Sequence, residues 1–179
     1  RLCPRVDIAG INSYGGAPSL PKRWRAAGGT KPYVVTEYGP PGTWEIGRNS
    51  WGAVEELSST AKAERYAATF HALRADSAMC LGSYAFTWGA KQEATSTWYG
   101  MLLPDGTRLA AVDRMTEAWS GRAQANRCPV VDSLVLDGVG EVAPGGLVRA
   151  RLAVRDPEGD SLRVEWTLRG DAMSYETGG

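Results

Sequence analysis

Apolar residues recur along this chain with two different periods, and the change from one to the other divides it. In the first two-thirds, short apolar runs alternate with helical stripes. Residues 6–12 read as a strand ending in the polar cluster Asn12-Ser13-Tyr14, followed by Gly15-Gly16. Ser19 is a helix N-cap, with Pro21 in the first turn and Gly28-Gly29 as the stop, which predicts a short helix over about 20–27. Tyr33-Val34-Val35 is an unbroken apolar run and reads as a fully buried strand. Pro32 can open that strand, while Pro40 and Pro41 cannot continue it. Glu37 is therefore expected at the carboxyl end of a buried strand, facing a loop.

Residues 39–57 keep no period and carry Trp44 and Trp51, as a long functional or mobile loop would. Ser59 or Thr60 then caps a helix running to about residue 77, with Tyr66, Phe70 and Leu73 on one buried stripe. Residues 81–88 predict a third strand, ending Phe86-Thr87-Trp88-Gly89. A second long loop carries Lys91-Gln92-Glu93 and Thr97-Trp98-Tyr99-Gly100. Leu109, Val112, Met115 and Trp119 mark a last amphipathic helix, stopped by Gly121. Strand, helix, strand repeated at this spacing implies parallel pairing, and chemistry in such sheets sits at the carboxyl ends of the strands. Three βα units cannot close a barrel of about eight, so in a barrel these are its last portion.

After Gln124 the period falls to two. Residues 129–136, 147–154 and 162–168 alternate between Gly/Pro/Asp turns, the pattern of a β-sandwich with only part of its strands present. The expected organisation is an α/β domain over 1–121, a linker over 122–128 and a partial β-sandwich over 129–179.

The chain has 179 residues, and its 20 basic and 20 acidic side chains give zero formal charge. That balance gives no sign of nucleic-acid or membrane-surface attraction, and no apolar run approaches the ~20 residues of a membrane span. Seven Trp and seven Tyr against two Phe suit a wet binding surface better than a dry core. The first residue is Arg1 and the last run is strand-like, so the chain is expected to be a segment of a longer protein. Cys3, Cys80 and Cys128 are too dispersed for a metal knuckle and are read as free or buried thiols. His71 is the one histidine and lies in a helical run, which disfavours a His-dependent triad or a zinc site. Chemistry is therefore expected on carboxylates, supported by Tyr and Trp, with no cofactor.

The ends of the three strands resemble those of retaining (β/α)8 glycoside hydrolases, most closely the TIM-barrel domain of glycoside hydrolase family 2. The resemblance covers residues 6–121 and implies barrel strands six, seven and eight. Val35-Thr36-Glu37-Tyr38-Gly39 is similar to the strand-seven motif, which makes Glu37 the nucleophile by resemblance. Asn12-Ser13-Tyr14 resembles the place of a tyrosine that hydrogen-bonds it, and Phe86-Thr87-Trp88 the place of the sugar-subsite floor. Lys91-Gln92-Glu93 with Thr97-Trp98-Tyr99-Gly100 resembles a longer bacterial signature. The site residues implied are Glu37 and Tyr14 for catalysis, and Asn12, Trp88, Lys91, Gln92, Trp98 and Tyr99 for an oligo- or polysaccharide. Physical chemistry agrees, because glycosidic cleavage needs two carboxylates and sugar C–H faces pack on Trp. For Trp98, Trp44 and Trp51, filling the barrel mouth is an equal reading; for Lys91 and Gln92, solvated loop positions are. Glu93 reads as a salt-bridged or surface carboxylate.

The family's acid/base glutamate follows strand four and has no counterpart here, so these 179 residues alone are expected to be inactive. A transglycosylase sharing the covalent intermediate, or a non-catalytic carbohydrate-binding barrel, are the alternatives. The tail resembles Ig-like or PKD-like accessory domains, with Asp156-Pro157-Glu158-Gly159-Asp160 as their turn, which implies an extracellular or periplasmic address.

Overall fold

A computed structural model describes residues 4–138, 141–168 and 170. Three parallel strands pair in chain order: β1 (Ala9–Asn12), β2 (Tyr33–Tyr38) and β3 (Cys80–Ala85). Helices α1 (Leu20–Ala26), α2 (Ser59–Ala75) and α3 (Ala110–Ser120) accompany them. The βαβ arrangement read from the sequence is thus present as a mixed α/β sheet with β2 in the middle.

β1 starts at Ala9 rather than Val6. Its pairing begins opposite Tyr33, where the Ala9 N–H donates to the Pro32 carbonyl at 3.1 Å. Proline has no N–H to extend the ladder backwards, so Val6 and Ile8 lie outside the strand and are exposed. β3 ends at Ala85, short of the expected Trp88. Phe86 N–H still donates to the Tyr38 carbonyl, but Thr87 N–H donates to the Tyr99 carbonyl and Met101 N–H to the Thr87 carbonyl, so the chain turns towards the second loop.

The core lies between β2 and the helices. Tyr33, Val35 and Tyr38 are fully buried, packed with Leu20, Ala63, Tyr66, Leu73 and Met115. Val34 is only half-buried and Thr36 exposed, so β2 buries one face rather than the two expected. Helix α2 is capped by Ser58, one residue earlier than predicted, its side chain accepting from the Ala61 N–H at 3.2 Å. Helix α3 buries Val112, Met115 and Ala118, while Trp119 of the predicted stripe is about half exposed. It ends at Gly121, whose φ of 73° is the left-handed cap that Gly adopts without strain.

The tail forms one antiparallel hairpin, β4 (Val130–Asp137) with β5 (Arg149–Arg155). The third alternating run, 162–168, is not a strand, and Leu168 is fully exposed. A two-residue period specifies a strand only where a neighbouring edge supplies hydrogen bonds, and 162–168 pairs with neither β4 nor β5. The end of the expected sandwich, 171–179, lies outside the described residues, as does Cys3. The hairpin is tied to the helices: Asp113, almost fully buried, accepts from the Cys128 N–H at 2.6 Å and pairs with Arg108 at 3.2 Å, and the Val131 N–H donates to Thr60 Oγ1 at 3.0 Å.

Candidate active site

β2 carries Glu37 one residue before its end, and the register sets Asn12 of β1 opposite it, after a bulge. The extra residue is the exposed Thr36 of β2, and the step over it sets Glu37 at the end of β1. Ser13 N–H donates to the Glu37 carbonyl at 2.9 Å, and Tyr14 Oη then reaches Glu37 Oε2 at 2.5 Å. Burial, then this bond, hold the Tyr14 phenol well above the usual tyrosine range. Tyr14 therefore remains a proton donor to Glu37 throughout the neutral range.

The Tyr14 ring is itself fixed. Trp44 and Phe86 meet it edge-on, with centroids 5.6 and 6.0 Å away, and Tyr99 lies at 5.2 Å. Beneath them, the buried Tyr66 hydroxyl lies against the Phe86 carbonyl and 2.8 Å from that of Tyr99. Gly39 completes the packing. A Cβ there would stand 2.9 Å from the Phe86 carbonyl oxygen and 3.3 Å from the Tyr66 hydroxyl.

Two carboxylates outside the strand also shape the rim. Glu45 Oε2 accepts from Gly15 N–H at 2.7 Å and Gly42 N–H at 2.8 Å, and Oε1 accepts from Gly16 N–H at 3.3 Å. It joins the loop carrying Tyr14 to the loop that follows Glu37. Sequence reasoning missed Glu45, because the Gly15 N–H that it binds lies 30 residues away in the chain and no local pattern links the two. The other is Glu56, within reach of the buried Lys62 ammonium, which also donates to the Thr97 carbonyl at 2.6 Å. Thr97 Oγ1 donates to Glu56 at 2.7 Å, so both long loops are fastened to α2. Burial, the largest single effect, raises Glu56, but the Lys62 charge together with hydrogen bonds from Lys62, Thr95 and Thr97 outweighs it and leaves this carboxyl below its ordinary range. Burial lowers Lys62 in turn, partly offset by Glu56.

The remaining predicted residues divide. Trp88 stands on the loop after β3 with 62 % of its surface exposed, open to a ligand. Trp98 and Tyr99 do not form open walls: they are 2 % and 1 % exposed, and Trp98 donates to the Pro41 carbonyl at 3.0 Å. Their apolar area is used to support the rim from below. Asn12 is exposed, and its Oδ1 accepts from Thr36 Oγ1 at 2.5 Å, beside Glu37. Lys91 lies over the Phe86 ring at 4.9 Å and 3.0 Å from Glu93 Oε2, an ionic contact without hydrogen-bond geometry. Glu93 is buried and salt-bridged, and Gln92 beside it is exposed. His71 is exposed on α2, away from this rim. Among the described residues, no group of three His, Cys, Asp or Glu side chains is placed to hold a metal, and no helix is long and apolar enough to cross a membrane.

No family model matches the chain, and no curated protein does. Among solved structures it is similar to part of the β-glucuronidase of Bifidobacterium dentium, with 18% identity and TM-score 0.48 over 65% of this chain and 21% of that one. For the β-glucuronidase of Ruminococcus gnavus the values are 19%, 0.48, 67% and 23%. For that of an uncultured Clostridium sp. they are 19%, 0.47, 65% and 23%. The chain thus spans less than a quarter of each of these three solved chains.

Proposed function

We propose that this chain is the nucleophile-bearing part of a retaining glycoside hydrolase acting on a β-linked oligo- or polysaccharide. The observation that carries the reading is the Tyr14–Glu37 hydrogen bond at a strand's carboxyl end. A nucleophilic carboxylate must be held in one orientation, and here a protonated phenol, itself wedged among three aromatic rings, holds one oxygen and leaves the other for attack.

In this reading a Glu37 oxygen attacks the anomeric carbon as the bond to the leaving oxygen breaks, giving a glycosyl ester and inverting the centre once. Water then displaces the carboxylate and inverts it again. The leaving oxygen must gain a proton and the water must lose one. None of the three nearby carboxylates is suited to that, since Glu45 is occupied by backbone N–H groups, Glu56 by Lys62 and Thr97, and Glu93 by Lys91. The acid/base is assigned to the earlier part of the barrel that the sequence resemblance implies, and the 179 residues alone are expected to show little turnover. Trp88 is assigned to the sugar face, and Asn12, Gln92 and Lys91 to its hydroxyls. Strands β1 and β3 are assigned as the open edges on which the rest of that barrel pairs, and the address is proposed to be extracellular or periplasmic.

The test is covalent capture. A 2-fluoro glycoside slows the second displacement more than the first, so the glycosyl ester accumulates on the full-length protein. Mapping it to Glu37 supports the assignment; a label on any other residue would falsify it.

A further inference from the structure

Trp44, Trp51 and Trp88 are the tryptophans exposed on the loops that follow β2 and β3. Trp44 is held in place although 59 % of its surface is open. Its ring stands perpendicular to that of Tyr14. The backbone of Gly42 runs directly beneath it, where a Cβ would fall 2.4 Å from Cζ2. Its neighbour Glu45 binds Gly15, Gly16 and Gly42. The indole is thus anchored to the same two loops that position Tyr14 and Glu37. A large ring already fixed loses little freedom when a ligand settles on it.

Trp44 also stands next to the reacting pair. It follows the central strand β2 and packs on Tyr14, which holds Glu37, whereas Trp88 follows β3. With one sugar ring on Trp88, Trp44 is a second fixed and exposed ring beside the nucleophile, free for the other moiety. We propose that Trp44 is a specificity-determining platform for the group beyond the scissile bond, and that it takes a ring with an apolar face. The proposal rests on the glycosidase reading of Glu37.

Two sources share that chemistry, the C–H face of a further sugar and an aryl aglycone. The experiment uses the full-length protein with Trp44→Ala and Trp44→Phe, on three substrates carrying one common sugar: a glycosyl fluoride, an aryl glycoside and a disaccharide. The readout is kcat/KM for each ring-bearing substrate divided by that for the fluoride, which has no second ring. Trp44→Ala is expected to lower at least one ratio by roughly 5- to 10-fold, with Trp44→Phe in between. A fall confined to the disaccharide identifies a sugar, and one confined to the aryl glycoside an aglycone. Unchanged ratios, with the three substrates keeping pace, overturn the proposal while Glu37 labelling still upholds the glycosidase reading. Failure to label Glu37 in the parent protein removes both.

Discussion

The hydroxyl of Tyr14 lies 2.5 Å from Oε2 of Glu37, although the two residues arrive on different strands. Ile11 pairs with Val35 and Asn12 with Glu37, so the step over Thr36 brings Glu37 to the end of β1, two residues before Tyr14. Tyr14→Phe deletes the donor and little else of the packing. A hydrogen bond to a charged group is worth about 1.5–3 kcal/mol, so the rate of Glu37 labelling by a 2-fluoro glycoside is expected to fall roughly 10- to 100-fold. The thermal midpoint is expected to fall as well, by roughly 2–4 °C for each kcal/mol of that bond lost, so the labelling rates are compared well below it. An unchanged labelling rate would show that the phenol does not position the carboxylate.

Gly39→Ala tests the floor beneath that pair. The added methyl meets a backbone carbonyl, which cannot rotate away as a flexible side chain could. Overpacking of this kind costs about 1–3 kcal/mol. Urea unfolding should show the unfolding free energy falling by that amount, through a lower midpoint at unchanged slope, together with slower labelling of Glu37.

The Lys62–Glu56 pair should show a one-sided dependence. Lys62→Met leaves a carboxylate in a largely closed site and is expected to cost about 3–5 kcal/mol, whereas replacing both residues with apolar ones of similar size should cost much less. The sign with pH follows from Glu56, which lies below its ordinary range in the fold. Its contribution is complete above the unfolded carboxyl value, roughly pH 4.3, and is lost as the pH falls through the lower folded value. Glu56→Gln should flatten that part of the acid limb in urea titrations. An acid limb identical to the parent's would mean that the pair carries no linkage.

Cys128 should be sluggish towards alkylation. Burial first, then its bond to Asp113, push this thiol up to about 12. At pH 8 its iodoacetamide rate, read on the mapped peptide, is expected to be about a thousandfold below that of an unperturbed cysteine. Asp113→Asn should raise the rate several-fold without reaching the free-thiol value, because burial is the larger cause. A parent rate near that of a free thiol would contradict the packing of this hairpin base.

The sequence made the α/β portion legible because its signals are local. Pro32, Gly121 and the stripe of Tyr66 and Leu73 act within a few residues of themselves. The pairing of Tyr14 with Glu37 was expected from resemblance and is present as a contact. What could not be read depends on partners distant in sequence. Glu45 looks like any loop glutamate until Gly15 and Gly42 are brought to it. Trp98 looks like a binding aromatic until Pro41 and the rim close over it. The run 162–168 has the alternation of a strand, and alternation states which face would be buried but not that an edge exists to pair with.

The order β1–β2–β3 also has a bearing on how the rim is made. Each neighbour of β2 is the strand next to it in the chain, yet the pairings join distant residues, Ala9 with Tyr33 and Tyr33 with Cys80. Parallel pairing over such separations forms slowly, because the intervening segments must close before the contacts are made. During synthesis, the strands bracketing this carboxylate can pair only once Ala85 has left the ribosome, while the second loop that packs beneath Tyr14 is still to follow.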